Sequence, residues 1–141
     1  MLVFITLQVF PFEPALQINT PQLIDSSVIE GQSFPGKIKA RGLLGIFSVK
    51  GTLSFSNGQL HWHVKGTTDS GFYHLHQDNG IYRFTAHVIN DDGTFVDWSG
   101  IYNGNSVQDV QAIWNRSKEQ DFIHNLFLPD HVILIFKQNK D

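Results

Sequence analysis

From residue 46 onward the chain alternates apolar and polar positions in short runs punctuated by turn-forming residues. The runs Ile46–Phe55, Leu60–Lys65, Phe72–Gln77, Ile81–Val88, Thr94–Tyr102 and Val107–Trp114 are rich in β-branched and aromatic side chains. Between them stand Ser56-Asn57-Gly58, Thr67-Thr68-Asp69-Ser70-Gly71, Asp78-Asn79-Gly80, Asn90-Asp91-Asp92-Gly93 and Asn103-Gly104-Asn105. Turn signals about ten residues apart, separating segments of period two, predict an antiparallel meander. Pro11, Pro14, Pro21 and Pro35 break the first third into short pieces. Leu2–Phe10, Leu23–Ile29 and Lys37–Arg41 are its expected strands.

Near the C-terminus the period changes. Ser117 and Gln120 form a capping box, and Phe122, Ile123, Leu126 and Phe127 then share one helical stripe, ended by Leu128-Pro129-Asp130. One short helix is therefore expected over Ser117–Phe127. The run Val132–Phe136 that follows is apolar on both faces, the mark of a central strand covered on each side. The chain reads as a single all-β domain over residues 1–141. Its expected form is an up-and-down meander of about eight to ten strands closing into a barrel or strongly curved half-barrel, with a two-sheet sandwich as the alternative.

The turns set the registers. Asn57-Gly58 suits a type I′ turn, which needs positive φ at both central residues. It would pair Phe55 with Leu60, Leu53 with Trp62, Ser54 with His61 and Thr52 with His63. Asn79-Gly80 likewise pairs Tyr73 with Ala86, Leu75 with Phe84, Gln77 with Tyr82, His74 with Thr85 and His76 with Arg83. A type I turn closed by a glycine bulge at Gly93 sets Val88 against Val96, Ala86 against Trp98, Phe84 against Gly100, His87 against Asp97 and Thr85 against Ser99. With Thr67–Gly71 taken as a loop, Trp62 would face Leu75 and Val64 would face Tyr73. That register places His61 opposite His76 and His63 opposite His74.

Composition narrows the function classes. Hydrophobic residues are 41% and charged residues 16% of the chain, with twelve Phe, three Trp and three Tyr, a balance that supports a packed aromatic core rather than disorder. The net charge is −3 and the Lys and Arg residues are scattered along the sequence. A nucleic-acid partner is not expected, because phosphate-backbone binding rests on concentrated positive charge. Cysteine is absent, which removes thiolate metal sites, thiol catalysis and disulfides. Leu2–Phe10 is too short to span a bilayer and lacks a basic flank and a cleavage motif, so no membrane span is expected and a cytoplasmic location is favoured.

Two sets of residues carry candidate chemistry. Trp62, Tyr73, Leu75, Phe84 and Trp98, with Trp114 beyond them, share the inward parity and would line a site for a small apolar or aromatic molecule. On the opposite parity, His61, His63, His74, His76, His87 and Asp97 would share one sheet face, where paired imidazoles suit a divalent transition metal such as Zn, Cu, Fe or Ni. A solvated polar face explains the same residues. The cupin pattern, which follows H-x-H with a Glu a few residues on, is not met in Val64–Ser70. Arg41-Gly42-Leu43-Leu44-Gly45 is a flexible bend, not a phosphate loop. Asp97 and Ser99 project the same way from one strand, with no elbow to make a triad with His87. Non-catalytic binding of a small ligand inside the barrel is the leading reading. A structural or protein-interaction domain, or a metal-dependent enzyme using the histidine face, are the alternatives.

Overall fold

Alternating segments joined by tight turns lie most simply side by side, and in the computed structural model they do. It describes residues 22–23, 28–41, 48–116 and 131–140. These contain β1 (Gln22–Leu23), β2 (Ser33–Ala40), β3 (Ser48–Ser56), β4 (Gln59–Val64), β5 (Thr67–Asp78), β6 (Ile81–Ile89), β7 (Phe95–Tyr102), β8 (Val107–Asn115) and β9 (His131–Gln138). Strands β2 to β9 run antiparallel in chain order, and β9 pairs back onto β2. The ring closes as an eight-stranded barrel rather than a sandwich, with β1 added to β5 through Gln22↔Gln77 and Leu23↔His76. The expected strand Leu2–Phe10 and helix Ser117–Phe127 lie outside the described residues. Of Leu23–Ile29, only Leu23 is described as strand; Val28–Glu30 forms a turn closed by Gln32 N–H donating to the Ile29 carbonyl at 3.1 Å. Its Ile29 is fully buried and plugs one end of the barrel.

Local turn chemistry sets most of the pairing. Asn57 (φ 55°) and Gly58 (φ 74°) are both left-handed, as are Asn79 (φ 52°) and Gly80 (φ 79°), which is the type I′ geometry whose twist matches the flanking strands. Phe55↔Leu60, Leu53↔Trp62, Tyr73↔Ala86 and Leu75↔Phe84 follow. At the next turn Asn90 N–H donates to the Thr94 carbonyl at 2.8 Å, and Val88↔Val96, Ala86↔Trp98 and His87↔Asp97 follow. A bulge between Ser99 and Ile101, with Asp109 at φ 51°, then turns Val110 inward.

The β4–β5 junction differs from the expectation. Lys65-Gly66, with Gly66 at φ 90°, makes a two-residue turn, and Thr67–Gly71 is strand. Trp62 faces Asp69, Val64 faces Thr67, His61 faces Ser70 and His63 faces Thr68. The parity of the expected register is kept, but it has slipped by six residues, and the opposition of His61 to His76 and of His63 to His74 does not occur. Polar composition suggested a loop here, yet Thr67 and Thr68 are β-branched and serve equally well in a solvated strand. The twelve-residue β5 pairs with β4 up to Phe72 and with β6 from Tyr73 onward. Closure depends on this change of partner. Gly71 sits at the crossing, where a Cβ would fall 2.2 Å from the His87 carbonyl oxygen.

Inward side chains form two layers. In the lower one Phe55 packs edge-on against Tyr73 and Phe84 at centroid distances of 5.0 and 5.1 Å, and Phe34 meets Phe55 and Tyr102 at 6.2 and 6.1 Å. The upper layer holds Trp62, Trp98 and Phe136, with Trp62 at 5.8 Å from each of the other two. β9 is interior, between β2 and β8. Its Val132 and Phe136 are buried inward, and Ile133 and Ile135 stand half-buried on the outer face. No helix among the described residues is long and apolar enough to cross a membrane.

Candidate functional site

Parity along each strand delivers the site residues, and the depth of each in the barrel decides what it can do. Tyr73, Leu75 and Phe84 belong to the filled lower layer, at 5%, 1% and 0% exposure. They are core. Trp62 and Trp98 sit higher and form part of the lining of a cavity of about 200 Å³ at the upper end, the end where β4 turns into β5 and β6 into β7. Ile38, Val88, Val96, Leu134 and Trp114 line its walls, and the exposed Asp69 and half-buried Asn90 supply polar groups there. Of the five expected ligand-site residues, the structure brings Trp62 and Trp98 to the cavity and assigns Tyr73, Leu75 and Phe84 to packing.

Asp69 and Asn90 were hidden by their turn-like surroundings in the sequence. Ile38 and Leu134 come from the two strands that close the ring, and their inward parity was readable, but not their position opposite Trp62. Every tryptophan in the chain lines this cavity. The buried Nε1–H of Trp114 has no hydrogen-bond acceptor among the described residues. A buried donor without a partner is uncommon in folded proteins. Arg116 covers the Trp114 ring from 5.6 Å, a cation–π contact.

The histidines occupy the outer face, as their parity requires, but they are distributed. His61 is engaged at both nitrogens: Nε2 lies 3.2 Å from the Ser56 carbonyl, which can only accept, so Nδ1 accepts from the Ser70 hydroxyl at 2.5 Å in the neutral ring. His63 Nδ1 lies 2.6 Å from Thr68 Oγ1. His74 faces Thr85 and His76 faces Arg83. Only His87 and Asp97 meet, through Nδ1 and Oδ1 at 2.6 Å, about half exposed. Among the described residues no group of three or more His, Asp or Glu is placed to hold a metal ion. The slipped β4–β5 register is the reason, since it sets hydroxyl side chains rather than imidazoles beside His61 and His63.

The lower end is tied by Glu30. Its Oε1 accepts from Tyr73 Oη–H at 2.7 Å and from Gly58 N–H at 2.8 Å. The Tyr73 hydrogen bond first, then the Gly58 amide, holds this carboxyl below its ordinary value of 4.5. This group fastens the turn before β2 to the β3–β4 hairpin and does not face the cavity. Comparison with protein-family models, with curated proteins and with solved structures finds no match for this chain.

Proposed function

We propose that this chain is a non-catalytic binding barrel that takes a small, flat, apolar or aromatic molecule at its upper end. The observation that carries the reading is the convergence of all three tryptophans on one cavity. Size limits the ligand. Pockets for drug-sized molecules run from about 300 Å³ upward, whereas a dry cavity of roughly 150 Å³ accepts benzene. A cavity of about 200 Å³ therefore suits a single ring or a compact fused pair. Asn90 at the cavity offers a polar contact to a ring that carries one acceptor oxygen.

Because every tryptophan lines the cavity, intrinsic fluorescence reports on this site. Titration with p-cresol is expected to give a saturable change at one molecule per chain, with toluene binding more weakly for lack of the acceptor. Val96→Phe and, separately, Leu134→Phe fill the space and are expected to abolish binding while the protein stays folded. No saturable change with either ring compound, or undiminished binding in both filled variants, refutes the reading.

A further inference from the structure

Six of the ten basic residues of this acidic chain, Lys37, Lys39, Lys50, Lys65, Lys137 and Lys140, line two adjoining grooves on the outer face around β2, and Lys37 borders both. The grooves measure about 790 and 610 Å³. In the sheet register Lys37 directly opposes Lys50 on one side and Lys137 on the other. Three ammonium-bearing side chains thus stand in a row across adjacent strands. All six lysines are exposed, none forms an ion pair with a described residue, and no described Asp or Glu lines either groove. Like charges placed directly opposite one another destabilise a sheet. Such a row, with no counter-charge among the described residues, is the arrangement expected of a surface that is neutralised by a bound anion.

We propose that this lysine row binds a compact oligophosphate, a ligand with three or more linked phosphoryl groups, laid across β3, β2 and β9 where the two grooves meet. The dimensions agree: neighbouring strands lie roughly 4.8 Å apart, so three lysines span about 10 Å, the length of a short phosphate chain. Lysine binds phosphate as a point charge, whereas planar carboxylates are better met by the arginine fork, and no described arginine lines either groove. Among the described residues the linings carry no Phe, Tyr or Trp on which bases of a single strand could stack. None of the large exposed apolar side chains among the described residues lies in them, which leaves a bilayer little to anchor. The site is separate from the tryptophan cavity and stands or falls independently of it.

The test is calorimetric titration of the intact chain with inorganic tripolyphosphate, with orthophosphate at matched ionic strength as the comparison. Saturable one-to-one binding is expected, with tripolyphosphate at least about tenfold tighter, since each added charge-assisted contact is worth roughly a decade of affinity. Lys37→Gln, at the centre of the row, is expected to weaken binding by about tenfold. Its unfolding midpoint should be unchanged or higher, because the repulsion is relieved. Arg83→Gln, outside both grooves, should bind as the wild type does. If Lys37→Gln fails to fold, Lys137→Gln reads the same contact. The proposal is overturned by any of three results: no saturable tripolyphosphate binding, equal affinity for orthophosphate, or equal loss in the Lys37 and Arg83 variants. Tighter binding to duplex DNA or to phosphatidylserine vesicles than to tripolyphosphate also overturns it, by assigning the row to a different partner.

Discussion

Gly71→Ala is expected to destabilise the protein through a main-chain collision. A Cβ at Gly71 would lie 2.2 Å from the His87 carbonyl oxygen, 2.9 Å from its carbonyl carbon and 3.0 Å from Val88 Cα. All three atoms belong to the backbone of β6, so no rotamer change relieves the overlap. The strands must separate where β5 leaves β4 and begins to pair with β6. Overpacking costs about 1–3 kcal/mol, and a clash that only backbone movement can relieve belongs at the upper end, about 3 kcal/mol. For a domain of this length that lowers the thermal midpoint by roughly 10 °C. Urea denaturation followed by tryptophan fluorescence measures the loss, with an unchanged m-value certifying that stability has changed rather than compactness. Were Thr67–Gly71 an open loop, the same alanine would be neutral or would stabilise by about 0.4–1 kcal/mol through the unfolded chain. A packed strand and an open loop therefore predict opposite signs. Gly66→Ala is the companion variant: it has open space around it but φ 90°, and should lose only the conformational cost of about 1–2 kcal/mol. A midpoint for Gly71→Ala that is equal to or above the wild type refutes the close approach of Gly71 to β6 at the crossing.

Glu30→Gln tests the tie at the lower end. Because the folded carboxyl sits below 4.5, its stabilisation is fully present above the unfolded value and disappears as pH falls through the lowered one. The stability gap between wild type and variant should thus be open at about pH 7 and closed at about pH 2, as measured by denaturant unfolding; a gap of equal size at both overturns this role. The dispersed histidines predict that Zn²⁺ at neutral pH leaves the unfolding midpoint unmoved apart from weak nonspecific effects. A rise that vanishes when His63 and His74 are replaced together would show that these two side chains meet after all.

The meander, its parity and most of its registers were readable because they are local. Asn57-Gly58 and Asn79-Gly80 accept left-handed φ, and the turn then dictates every pair along its hairpin. Lys65-Gly66 is less legible, because its single glycine stands beside a polar stretch, Thr67–Gly71, that resembles a loop. Side-chain chemistry alone cannot tell a solvated strand from a solvated loop, since both are polar and only pairing distinguishes them. What lay beyond the sequence was which residues meet across the ring. Phe84 and Trp98 share a parity, yet one is sealed in the core and the other lines a cavity, because depth in the barrel depends on stagger and closure, not on alternation. Lys37, Lys50 and Lys137 are far apart along the chain. The return of β9 to β2 sets them in one row, where charge that looked dilute in the sequence becomes concentrated.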